Sequence, residues 1–207
     1  DTTDVKVTVN PIPTVVASND TTICFNDTIT LNASGADNYT WTPSSTLGNA
    51  NTNNTTAFPT ATTQYIVTGQ FNSGCLDKDT VNITVSPQIT VDAMGDLSIC
   101  KNTTIPLTAN VTNAINTIWS PTTGIADINA NNTTVTPITT TTYKITASND
   151  IGCTTADSLT ITVDESPLVT ISKDTSICAG TQINLTATGG NTYAWTSIGN
   201  ITNPNNN

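Results

Sequence analysis

Five cysteines carry most of the chemistry this chain has to offer. Four fall into two pairs at matching places, Cys24 with Cys75 and Cys100 with Cys153, and Cys178 follows. Thiols so placed can close disulfides, stay free or bind a metal. Thiolate metal sites need Cys or His clustered at short spacing, and the chain has no His and no CxxC. The spacing favours bridges Cys24–Cys75 and Cys100–Cys153, with free thiols and a metal site as alternatives. Each bridge would close a loop of about fifty residues and stabilise by about 4 kcal/mol in the chain-entropy account. A partner for Cys178 is expected farther along the chain. Disulfides persist in oxidising compartments, so bridges imply an exported protein.

Other groups offer less. Without His there is no ordinary general base, and no nucleophile motif such as GxSxG occurs. The expectation is a protein that is not an enzyme and has neither cofactor nor metal. Asp20, Asp96 and Asp174 each stand four residues before a cysteine. Nothing there resembles a dense calcium loop, and turn capping is the expected role. Trp41, Trp119 and Trp195 could stack on sugars, but each takes the same inward strand position, which points to core packing. Tyr65 and Tyr143 come shortly after Thr-Thr pairs, a pattern resembling the tyrosine corner of immunoglobulin-like sandwiches. Phe25, Phe58 and Phe71 are not repeated and are expected to pack loops. Asn-x-Ser/Thr triplets, at Asn32, Asn82, Asn102 and Asn184, follow from abundant Asn and Thr and are weak glycosylation signals.

The formal net charge is −10, with only five Lys and Arg in 207 residues. Five cations cannot form a phosphate-neutralising patch, so nucleic acid is excluded as a partner class, and docking to anionic lipid is disfavoured. No apolar run reaches the roughly 18–20 residues that cross a bilayer, so no membrane insertion is expected.

These residues sit in a repeat. Ile23-Cys24 returns as Ile99-Cys100 and Ile177-Cys178. Tyr39-Thr40-Trp41-Thr42-Pro43 returns as Ile118-Trp119-Ser120-Pro121, and Gly74-Cys75 returns as Gly152-Cys153. The cysteine offsets are 76, 78 and 78 residues. A fixed period marks an array of one folded unit. The expected division is 1–10, the closing strand of a preceding repeat; 11–86 and 87–166, two full units; and 167–207, the first part of a third. In that division Asn205, Asn206 and Asn207 match the Asn-rich loops around Asn53 and Asn131.

Period-2 alternation is the main local signal. Val5, Val7 and Val9 alternate with polar residues, as do Ile29, Leu31 and Ala33, and Val81, Ile83 and Val85. Each full unit reads as about seven short strands with turn residues every 8–12 positions, the pattern of an antiparallel β-sandwich. The fold class is all-β, a tandem array of such sandwiches. Proline junctions at Ser86-Pro87 and Ser166-Pro167 restrict bending, so a semi-rigid rod is expected, each unit adding roughly 30–40 Å. Under tension, within-unit bridges would leave only the segments 11–23 and 76–86 free to extend.

The repeat resembles the PKD-like, immunoglobulin-like repeats of giant Bacteroidetes cell-surface proteins. The matching residues are Ile23-Cys24, Trp41-Thr42-Pro43, Pro59, Thr62-Thr63-Gln64-Tyr65 and Gly74-Cys75, with their second copies. Members of that family include the SprB-type gliding-motility adhesin, exported by the type IX secretion system. The resemblance implies an extracellular, cell-surface filament exported across the outer membrane, mechanical and adhesive in role. Its implied partners are other repeats of the same chain and a surface polysaccharide or substratum. Passive spacer or carbohydrate-binding repeats of another secreted protein are the alternative. The resemblance also makes Thr28, Thr80 and Ser158, in Asp-Ser/Thr-apolar triplets, candidate O-glycosylation acceptors.

Overall fold

The computed structural model describes residues 4–196. All regular structure among them is β. The first sandwich comprises β1 (Val16–Ala17), β2 (Thr21–Ile23), β3 (Ile29–Ser34), β4 (Asn38–Thr42), β5 (Asn54–Ala57), β6 (Thr63–Gln70) and β7 (Leu76–Val85). The second repeats it as β8 (Thr90–Ala93), β9 (Leu97–Cys100), β10 (Ile105–Thr112), β11 (Asn116–Ser120), β12 (Asn132–Val135), β13 (Thr141–Ser148) and β14 (Thr154–Asp164). In each, a three-stranded sheet faces a four-stranded one: β1-β3-β5 against β2-β7-β6-β4, then β8-β10-β12 against β9-β14-β13-β11. This is the tandem immunoglobulin-like arrangement that the alternation predicts.

Alternation decides which face each strand buries. Leu31 and Ala33 of β3 pack against Trp41, Tyr65, Val67, Val81 and Ile83 of the opposite sheet. Leu107, Trp119, Tyr143, Ile145, Leu159 and Ile161 form the equivalent second core. Trp41 and Trp119 are fully buried, which rules them out as sugar platforms. At about 150–250 Å² of buried surface each, either indole contributes on the order of 4–6 kcal/mol of transfer free energy. Its polar edge is satisfied as well. Trp41 Nε1 donates to the Thr52 carbonyl at 2.9 Å, and Trp119 Nε1 to the Ala130 carbonyl at 3.0 Å.

The tyrosines differ from the expected corner. That motif bonds back to backbone a few residues upstream. Here Tyr143 Oη donates to the Thr123 carbonyl at 3.2 Å, and Tyr65 Oη bonds the Thr46 hydroxyl at 2.5 Å. Both bond into the loop after the tryptophan strand.

Carboxylates close the gap where the chain passes from one sheet to the other. Val15 N donates to Asp77 and Ala17 N to Asp79, and in the second copy Ala93 N donates to Asp157. Just beyond, Asn82 N donates to Asp20 and Thr160 N to Asp96, each at 2.7 Å. Asp20 and Asp96 therefore fasten the crossover to the closing strand and do not cap their own turns. These bonds hold Asp20 below its ordinary value of 3.8, and the Ala93 and Ser158 amides hold Asp157 below the same value.

Two sequence expectations differ at the ends. Residues 4–15 form no strand, and Val5, Val7 and Val9 are exposed. A strand needs a ladder partner, and none of the described strands pairs with them. After residue 166, β15 (Thr170–Ile171) pairs only with β16 (Ala187–Thr188). With no opposing sheet among the described residues, Ile183, Leu185 and Ile177 stay exposed and Trp195 is half-buried, not a closed core residue. The correspondence of Asn205, Asn206 and Asn207 with earlier loops lies outside the described residues.

Candidate functional site

The thiols do not pair as their spacing suggests. Cys24 is bridged to Cys153, across 129 residues and from one sandwich to the next, with Cα atoms 5.6 Å apart. Cys75, Cys100 and Cys178 carry no bridge.

Strand direction explains the correction. β2 runs parallel to β7, with Thr21 opposite Ile83 and Ile23 opposite Val85. Ser86 N then donates to the Ile23 carbonyl at 2.9 Å. Cys24 therefore lies at the distal end of the first sandwich, where the chain leaves it. Cys75 immediately precedes Leu76, the first residue of β7, and so lies at the proximal end. Ten strand residues at about 3.3 Å each put roughly 33 Å between those ends, and a disulfide spans Cα atoms about 4.4–6.8 Å apart. A Cys24–Cys75 bridge is excluded by that length. Cys100–Cys153 is excluded likewise, because Cys100 pairs with Asp164 at the end of the eleven-residue β14 and Cys153 precedes its start.

The bridge that does form closes a junction. Cys153, at the proximal end of the second sandwich, is buried with Ile89 and Ala147, and Cys24, Val91, Val111 and Ala114 pack on this small cluster. Val91 and Val111 also pack against the second main core, so the cluster continues that core to the junction. Polar groups tie the same spot. Asn149 Nδ2 donates to Ser86 Oγ and its Oδ1 accepts from Cys153 N, both at 2.9 Å. Asn113, at φ 58°, donates through Nδ2 to the Gln88 carbonyl at 2.7 Å. Gly152, at φ 90°, makes the turn that presents Cys153. Phe25 and Asn26 line an open cleft beside the bridge with Gln88 and Thr155.

Sequence reasoning found all the cysteines and placed the junction at Ser86-Pro87, but missed the bonds that Asn149 and Asn113 make there. One signal was present. Asn149 breaks the repeat, standing where the first unit has Phe71, at the position that meets the junction. Of the unrepeated phenylalanines, Phe25 and Phe71 are half-buried and Phe58 is exposed. The candidate glycan acceptors Thr28, Thr80 and Ser158 are all exposed. Among the described residues no group of His, Cys, Asp or Glu is arranged to hold a metal ion, and no helix is long and apolar enough to cross a membrane.

No family model matches the chain, and no curated protein matches it. Solved structures with similar folds include the insect immune protein hemolin, at 14% identity and TM-score 0.46, over 73% of this chain and 47% of that one. The N-terminal eight immunoglobulin domains of Down syndrome cell adhesion molecule match at 14% identity and TM-score 0.42, over 93% of this chain and 35% of that one. An I-band fragment of titin matches at 11% identity and TM-score 0.41, over 91% and 86%. The chain thus spans about half of hemolin and a third of the adhesion-molecule fragment. The fold assignment rests on the strand order and cores described above.

Proposed function

We propose that the chain is a load-bearing stretch of an extracellular filament, built from units 11–86 and 87–166 with parts of a unit on either side. The observation that carries this reading is the Cys24–Cys153 bridge. Its two cysteines lie outside both main cores, at the junction end of each sandwich. It fixes one sandwich to the next, which suits a rod whose role is to hold its length. It also requires an oxidising compartment, in keeping with export. The repeat's resemblance to Bacteroidetes surface proteins supports the finer reading: a gliding-motility type adhesin exported across the outer membrane. Such a filament would present adhesive parts to a polysaccharide or substratum, with Thr28, Thr80 and Ser158 as glycan acceptors. Its mechanism is mechanical and uses no catalytic residue. Antibody raised against residues 4–196 is expected to decorate unpermeabilised cells, and deleting the gene to abolish surface attachment or gliding. Decoration only after lysis would overturn the reading.

A further inference from the structure

The observed bridge joins the first cysteine of one unit to the second cysteine of the following unit. Cys100 is the first cysteine of the second unit and Cys75 the second cysteine of the first. Each therefore holds the repeat position that one half of the observed bridge holds.

Their surroundings match those of the bridged pair. Cys100 lies at the distal end of its sandwich, opposite Asp164 on the parallel β9–β14 ladder, just as Ile23 and Cys24 lie at the end of β2–β7. It is exposed there, and the next residue, Lys101, pairs with Glu165 at 2.8 Å, just before Ser166-Pro167. Cys75 lies at the proximal end, 3.9 Å from the Asn10 carbonyl. Asn10-Pro11 is the repeat counterpart of Ser86-Pro87, where Pro87 lines the cleft beside Cys153 and Ser86 is tied to it through Asn149. The Gly74 turn, at φ 91°, presents Cys75 as the Gly152 turn, at φ 90°, presents Cys153. The two thiols cannot reach each other, because they occupy opposite ends of adjacent sandwiches.

We propose that Cys75 and Cys100 are inter-unit disulfide sites, each taking a cysteine from an adjoining copy of this unit. Cys100 takes the cysteine of a following Gly-Cys turn, and Cys75 takes the cysteine of a preceding Ile-Cys strand end. Every junction of the array then carries one staple, and the filament is a ladder of overlapping covalent loops. Each bond forms when one thiolate attacks the disulfide of an oxidant, a protein or small-molecule disulfide, to give a mixed disulfide, and the second thiolate then attacks the filament's sulfur in it and expels the oxidant's second thiolate. Two thiols lose two protons and two electrons, and the oxidant's disulfide is reduced to two thiols. The proposal rests on the reading that the units belong to a longer array.

A head-to-tail duplication of residues 11–166 tests it directly, because Ser166 then meets Pro11 as Ser166 meets Pro167. Both sandwiches in that stretch have their own cores. Non-reducing peptide mapping is expected to show Cys24–Cys153 in each copy. It is also expected to show a new bridge from Cys100 of the first copy to Cys75 of the second. Alkylation of both those thiols while Cys24–Cys153 forms would overturn the proposal, since the formed bridges report folded junctions. Failure of Cys24–Cys153 itself would overturn it as well. Mapping the exported full-length protein separates the underlying reading: absence of further Ile-Cys and Gly-Cys unit peptides would remove the array and leave the duplication result standing.

Discussion

Trp119 shows how much one side chain decides. It is fully buried, and its Nε1 satisfies the Ala130 carbonyl in the long loop after its own strand. Truncation removes both the packing and that bond. Replacing Trp119 by Ala is expected to destabilise the second sandwich by about 3–5 kcal/mol, read by urea denaturation, while the first sandwich keeps its midpoint. Asp20 and Asp157 act through charge. The Asn82 amide holds the Asp20 carboxyl below 3.8, and the Ala93 amide does so for Asp157. A carboxyl that loses its proton more readily folded than unfolded stabilises fully above the unfolded value, about 3.9. That contribution disappears as pH falls through the lower folded value. The melting temperature is therefore expected to hold between pH 7 and about 5 and to fall below about 4. The double variant Asp20→Asn, Asp157→Asn is expected to flatten that fall; an unchanged acid limb would show that these bonds do not control it.

At the scale of the element, the decisive piece is β2, three residues long. Removing the staple tests what it holds. Cys24 lies outside the first main core, so Cys24→Ser is expected to raise hydrogen exchange at residues 86–89 and 149–153. Protection in β3 and β12 is expected to stay unchanged; loss there would mean that the bridge supports the sandwiches themselves. The same short strand marks where the sequence stopped being legible. Longer strands were readable, because Ile29, Leu31 and Ala33, or Tyr143, Ile145 and Ala147, alternate over enough positions to show their buried face. Thr21-Thr22-Ile23 has too few positions to alternate, and its parallel partner lies some sixty residues away. Nothing local announces which way it runs. Yet that direction alone puts Cys24 at the far end of β7 from Cys75 and turns a presumed internal clasp into a link between neighbours. The recurrence of the cysteines was legible; their pairing was a property of strand direction. Asn149 and Asn113 were missed for a related reason, since they act only where two units meet.

Across the whole molecule the bridge changes how force travels. Tension entering before Cys24 crosses directly to Cys153 and bypasses the 129 residues of separation between them. At about 3.3–3.6 Å per extended residue, roughly 430–460 Å of contour stays hidden in the oxidised chain. This replaces the expectation that only 11–23 and 76–86 of each unit would extend. In single-molecule pulling, reductant is expected to release that length, and equal extension with and without it would show that the bridge carries no load. In a fully stapled array the shortest covalent route would run only 25 residues, from Cys153 to Cys178, before its next crossing.

A bond that bypasses so much backbone also gives the molecule a second way to remain whole. Cutting any peptide bond between Cys24 and Cys153 yields two pieces that the bridge still holds together. Survival of the thread then no longer depends on every link of the main chain, which matters for a polymer exposed to foreign proteases. Chain nicked once in the Asn-rich loop around Asn53 is expected to run as a single band without reductant and as two with it. Separation of the fragments before reduction would show that this redundancy is absent.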